Sequence, residues 1–97
     1  SDGGISSALD YLASQQNSDG AWGYTSGSDS DTASTAWVVT AFTKLGVDIS
    51  QATLEWLWSQ QTTDGSFKWV PSDESGQKYM TAQALIALSD SFFPVKK

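Results

Sequence analysis

Neither cysteine nor histidine occurs anywhere in the chain, and these two absences remove more chemistry than any residue present adds. Without thiols there is no disulfide framework and no thiolate nucleophile. Without imidazole there is no histidine base, and no Cys or His zinc site can form within these residues. Proline is scarce, with two in 97 residues, and eight glycines do not make a disordered linker. Five basic residues stand against eleven acidic ones, for a net charge of −6. The chain therefore lacks the clustered Lys and Arg that phosphate backbones reward, and nucleic acid is not expected as a partner. Only Lys96 and Lys97 adjoin each other, too few for a polybasic anchor. No apolar run approaches the roughly 18 residues that a membrane span needs, so no membrane span is expected. No signal-peptide pattern opens the sequence either, and a leader, if there is one, is expected upstream.

What the chain does hold is aromatic. Five Trp, four Phe and three Tyr supply the large apolar surface for one core, at a length where a single core gives modest stability. An apolar content of 39% lies below the globular average without entering the disordered class. The acidic groups are scattered through loop-like segments, a distribution that serves solubility better than an acidic docking surface. A thiol-free chain rich in Ser, Thr and Asp suits an extracellular or cell-surface setting.

The organising feature is a repeat. Residues 11–22, YLASQQNSDGAW, return 45 positions later as WLWSQQTTDGSF at 56–67. Before the first copy, Ile5, Ala8, Leu9, Leu12 and Ala13 form a helical stripe over 5–16, with Ser6, Ser7, Asp10 and Ser14 opposite. Residues 17–30 carry turn signals and read as loop. Asp31 is placed to cap a helix over 32–45, whose Ala36, Trp37, Val38, Val39, Phe42 and Leu45 run most of the way round. Gly46 sits at the expected left-handed C-cap, and Ser50 at the N-cap of a third helix, 51–61, with Ile49 placed to staple onto Leu54. A second loop, 62–75, leads to a fourth apolar helix, 78–91, which Pro94 cannot continue.

The helices after the loops correspond at an offset of 46, Thr35-Ala36 matching Thr81-Ala82, so one residue is inserted near Gly76. A period near 45 with two helices per unit predicts an all-α fold of two helical hairpins, repeat 1 over about 4–46 and repeat 2 over about 49–93. The first and third helices are expected to face solvent. The second and fourth are expected to be sandwiched or to line a cavity.

Gln16 and Gln61 fall at helix ends, where the last carbonyls lack partners; a side-chain amide can donate to such a group and accept from a neighbouring helix. Gly20 and Gly65 allow the turn that folds Trp22 and Phe67 back against that amide. Tyr11, Gln16, Gly20 and Trp22, with Trp56, Gln61, Gly65 and Phe67, thus read as a structural brace rather than catalytic groups. The pattern resembles the glutamine-tryptophan repeats of squalene and hopene cyclases and their relatives: prenyltransferase beta subunits, thioester domains of complement-like proteins, and cobalamin carriers. The resemblance covers nearly the whole chain. It implies an α/α toroid in which these repeats tie the outer helices together and do no chemistry.

Hopene-type cyclases place their proton donor in an Asp-x-Asp-Asp-Thr-Ala run. Residues 28–33 here read SDSDTA, with Ser30 at the donor position, and a serine hydroxyl is far too weak an acid for that task. Asp29 sits in a Gly/Ser/Asp loop that does not supply the burial a tuned acid needs. The zinc of the prenyltransferases requires Cys and His, and the thioester domains require Cys, so neither activity is available and no cofactor is implied.

Two other constellations carry weaker signals. Asp19, Asp29 and Asp31, with Asn17, bracket the first loop and offer oxygen ligands for calcium, although without EF-hand spacing and around an ordinary Asp-Gly turn. Tyr24, Trp37, Trp69 and Tyr79 cluster toward the loop ends, either as core or as the wall of a shallow pocket with Thr35, Thr81 and Gln83 as its polar groups.

The function this suggests is a non-catalytic binding or scaffold module of a secreted or cell-surface protein, taking a small apolar or cobalamin-like ligand. The alternatives are a structural fragment of a terpenoid cyclase whose acid lies outside this chain, and a plain spacer. Two hairpins, against roughly five to seven in a closed toroid, imply further repeats or domains as neighbours. They also imply self-association through unpaired helical flanks.

Overall fold

Each periodic segment is a helix in the computed structural model, which describes residues 2–25 and 27–92. Pro94, the pair Lys96 and Lys97, and the end of repeat 2 at residue 93 lie outside the described residues. The order is α1 Asp2–Gln15, α2 Thr32–Leu45, α3 Gln51–Trp58 and α4 Lys78–Phe92. Among the described residues β-pairing is limited to isolated antiparallel bridges, Gly23 with Ser30 and Phe67 with both Gln61 and Gln77. The fold is therefore all-α. None of the described helices is long and apolar enough to cross a membrane.

The helix ends follow local chemistry. Asp31 accepts from the Ser34 amide at 2.7 Å and starts α2, satisfying one of the free first-turn donors. Gly46 ends it at φ 74°, its amide bonded to the Phe42 and Thr43 carbonyls, the left-handed cap that glycine adopts without strain. Ser50 accepts from the Thr53 amide and starts α3, while Ile49 packs on the core cluster that contains Leu54. The expected end of α3 at residue 61 is corrected to Trp58. There the chain tightens, with the amides of Gln60 and Gln61 reaching back three residues to Leu57 and Trp58, each at 3.1 Å. Such a 3₁₀ turn satisfies terminal carbonyls that an α-turn would leave open.

α2 lies along α4, with α3 against α2, in a slab of 42 × 38 × 21 Å that is about two helix diameters thick. Small residues let the two long helices approach: Ala36 on α2 and Ala84 and Ala87 on α4 are buried with Val39, Leu54, Leu57 and Leu88. Phe67 enters this cluster from the second loop with none of its surface exposed. Its ring lies 6.0 Å from that of Trp58. In the first unit Trp22 meets Phe42 edge to face, also at 6.0 Å.

Two expectations are revised. Of the α1 stripe only Leu9 and Leu12 are half-buried, whereas Ile5, Ala8 and Ala13 are exposed. The stripe is there, but its cover is partial, with Trp22 reaching Leu12 and a cleft toward Trp37 and Val38 of α2. Nor are α2 and α4 covered all round, since Trp37 is 69% exposed and Ile86 58%. Their shared face is core and their opposite faces are open.

Phe67→Ala removes the side chain on which both hairpins converge, so a loss of about 3–5 kcal/mol is expected in urea unfolding. Tyr79→Ala, which removes an exposed ring, is expected to change stability by about 0.5 kcal/mol or less.

Candidate functional site

The two loops are the same object built twice. Asn17 N donates to Ala21 O at 2.8 Å, and Thr62 N to Ser66 O at 2.7 Å; Gly20 N and Gly65 N each close a turn at 3.0 Å, onto Asn17 O and Thr62 O. Gly20 and Gly65 stand at φ 91° and 93°, where a side chain would be strained. Gln16 Nε2 donates to Gly20 O at 2.8 Å, and Gln61 Nε2 to Gly65 O at 3.1 Å. Two residues past each glycine the chain turns inward, and the buried amide of the aromatic finds a threonine. Trp22 N donates to Thr35 Oγ1 at 3.0 Å, and Phe67 N to Thr81 Oγ1 at 2.8 Å. The carbonyls of the same two residues accept from Asp31 N and Gln77 N. The inserted residue thus falls between Phe67 and Gln77, the stretch that holds Gly76.

The brace differs in one respect from its expected wiring. Gln16 does not bond a helix carbonyl; its amide closes its own loop. The open carbonyl of Leu12 is instead taken by the indole of Trp22, Nε1 to O at 2.8 Å. Tyr11 takes no part, with 61% of its surface exposed, and Trp56 packs at the edge of the core.

Two threonines that the sequence reading passed over link the units. Thr53, on the first turn of α3, donates to Gly20 O at 2.6 Å and accepts from Gln16 Nε2 at 3.3 Å. Thr32 N, at the start of α2, donates to Trp69 O at 2.7 Å, and the Thr32 hydroxyl donates to Lys68 O. A Ser50-x-x-Thr53 capping pattern was the available signal for the first; nothing local marks the second. Gln60 was also missed: it is 3% exposed, and its Oε1 is buried without a partner among the described residues.

The acidic candidates are occupied in holding the loops. Ser30, 4% exposed, donates to Asp19 Oδ1 at 2.8 Å and accepts from Asn17 Nδ2 at 2.9 Å. Asp19 also accepts from the Ala21 amide. Both carboxylate oxygens of Asp31 go to Ser34, one to its amide and one to its hydroxyl. Asp29 is exposed. Asp19, Asp29 and Asp31 are not gathered into a metal-holding group, and no cluster of three or more such ligands occurs among the described residues.

The aromatic candidates disperse. Thr35 and Thr81 belong to the brace, their hydroxyls engaged by Trp22 and by Phe67 and Gln77, so they are corrected from pocket wall to loop anchor. Trp37 and Gln83, with Ala36, Thr40 and Ile86, line a groove of about 110 Å³ between α2 and α4. Gln83 Oε1 is buried with no hydrogen-bond partner among the described residues. Tyr24 lies on the other flank of Trp37, in a cleft shared with Tyr11 and α1. Trp69 and Tyr79 are exposed, and neither lines the groove.

Asp64, the counterpart of Asp19, is held at about 2 from the usual 3.8, first by the Ser66 hydroxyl, then by the Thr62 hydroxyl and the Ser66 amide. Because the folded value is depressed, its contribution to stability is complete above the unfolded value and is lost as pH falls through about 2. Carboxyl-detected NMR titration is expected to place its midpoint near 2. Ser66→Ala is expected to move that midpoint upward.

No family model matches this chain, and no curated protein or solved structure matches it either.

Proposed function

We propose that the chain is a non-catalytic binding or scaffold module of a secreted or cell-surface protein, built from repeats like those of the squalene cyclases and prenyltransferases. One observation carries this reading. Ser30, at the position of the cyclases' proton donor, and Asp31 beside it are spent on loop geometry, as are Asp19 and Thr35, while the face beside Trp37 is left open.

The groove narrows the ligand. At about 110 Å³ it lies below the roughly 300–1,000 Å³ of sites that enclose a drug-sized molecule. A whole cobalamin-like ligand does not fit, whereas one ring or a short alkyl group does. Trp37 and Ile86 offer apolar contact, and the Gln83 oxygen is buried beneath the groove surface, so the favoured occupant is a flat apolar group.

Indole has this chemistry. Its titration is expected to shift the Ile86 methyl and Gln83 side-chain amide signals in NMR, and Trp37→Ala is expected to weaken binding by about tenfold. Turnover of squalene or a prenyl diphosphate by the chain would contradict the proposal.

A further inference from the structure

On the other flank of Trp37 from the α2–α4 groove, a second cleft of about 290 Å³ lies between α1, the first loop and α2. Three large rings line it: Tyr11 from α1, Tyr24 from the loop and Trp37 from α2, with 61%, 84% and 69% of their surfaces exposed. Each ring ends in a hydrogen-bond donor, a phenol O–H or an indole N–H, and none of these three donors has a partner among the described residues. By contrast, the Ser34 hydroxyl and the Trp22 indole on the same wall are committed, to Asp31 and to Leu12 O.

The charge around this cleft has one sign. Residues 1–43 hold Asp2, Asp10, Asp19, Asp29 and Asp31 and no Lys or Arg. Asp10 is exposed and adjoins Tyr11. The first cation of the chain, Lys44, stands in the last turn of α2. It is two turns beyond Trp37, about 10 Å along the axis, which is roughly one Debye length.

We propose that this cleft binds a proline-rich peptide segment that carries Arg or Lys. A polyproline II helix makes no internal hydrogen bonds and proline has no N–H, so such a segment offers apolar rings and carbonyl acceptors. Aromatic rings tipped with unpartnered donors complement both features, and grooves lined by aromatics take this conformation. Because the segment is extended before it binds, docking orders little new backbone. Its basic residue answers the acidic surroundings, an attraction that salt screens. A saccharide also stacks on exposed rings, but it brings O–H donors that the Trp37 indole cannot accept.

The test is NMR titration of the chain with the peptide Arg-Pro-Pro-Pro-Pro-Pro-Arg, beside Arg-Gly-Ser-Gly-Ser-Gly-Arg of equal charge and beside cellohexaose. The proline peptide is expected to shift the ring signals of Tyr11 and Tyr24 and the Trp37 indole N–H, and to bind less tightly as salt is raised. Tyr11→Ala and Tyr24→Ala are each expected to weaken it by about tenfold, whereas Tyr79→Ala, outside the cleft, is expected to leave it unchanged. All three rings are exposed, so the variants keep the fold. Absence of the shifts, equal binding of the Gly/Ser peptide, or a response to cellohexaose in place of the proline peptide overturns the inference. The cleft shares only Trp37 with the groove proposed for a flat apolar group. Indole read at Ile86 therefore tests that groove separately, and either site can fail while the other stands.

Discussion

A buried backbone amide must find an acceptor or carry a desolvation penalty of about 1–3 kcal/mol, and this chain meets that demand twice by one device. Trp22 and Phe67 are brought inward by loops, not by helices, so their amides have no helical carbonyl to reach. The hydroxyls of Thr35 and Thr81, each on the first turn of the helix that follows, supply the acceptor. Because the carbonyls of the same two residues take the amides of Asp31 and Gln77, loop and helix are held at both sides of one residue. The direction in which each hairpin folds back follows from that double contact.

The consequences spread outward from there. A ring carried on a fixed peptide can be buried completely, and Phe67 then serves as the common packing partner of residues from α2, α3 and α4. With the rings inside, small residues are enough between the long helices. The loops in turn consume hydroxyls and carboxylates to keep their shape: Ser30 on Asp19, Ser66 and Thr62 on Asp64.

Much of this was legible in the residues, and the failures have physical causes. The bounds of α2 could be read because Asp31 and Gly46 act within one turn of themselves. The end of α3 could not, since the apolar pattern runs on past Trp58 while the backbone tightens. Periodicity shows which face of α1 is apolar but not how far a neighbour covers it: Ile5 is exposed, whereas Leu12 is half-buried. Thr35 and Thr81 were open to misreading because a hydroxyl on an apolar helix looks the same whether it awaits a ligand or a backbone amide. Of two adjacent glutamines, pattern drew attention to Gln61, which is exposed, over Gln60, which is buried. Only the fold separates them.

The fold depends on these two loop residues belonging to the cooperative core. Native-state hydrogen exchange of the Trp22 and Phe67 amides measures this directly. Both are predicted to exchange as slowly as the Val39 amide of α2, through global unfolding alone. Exchange at the rate of the exposed Thr25 amide would show that the threonine clasp does not hold in solution and would contradict the structure's central claim.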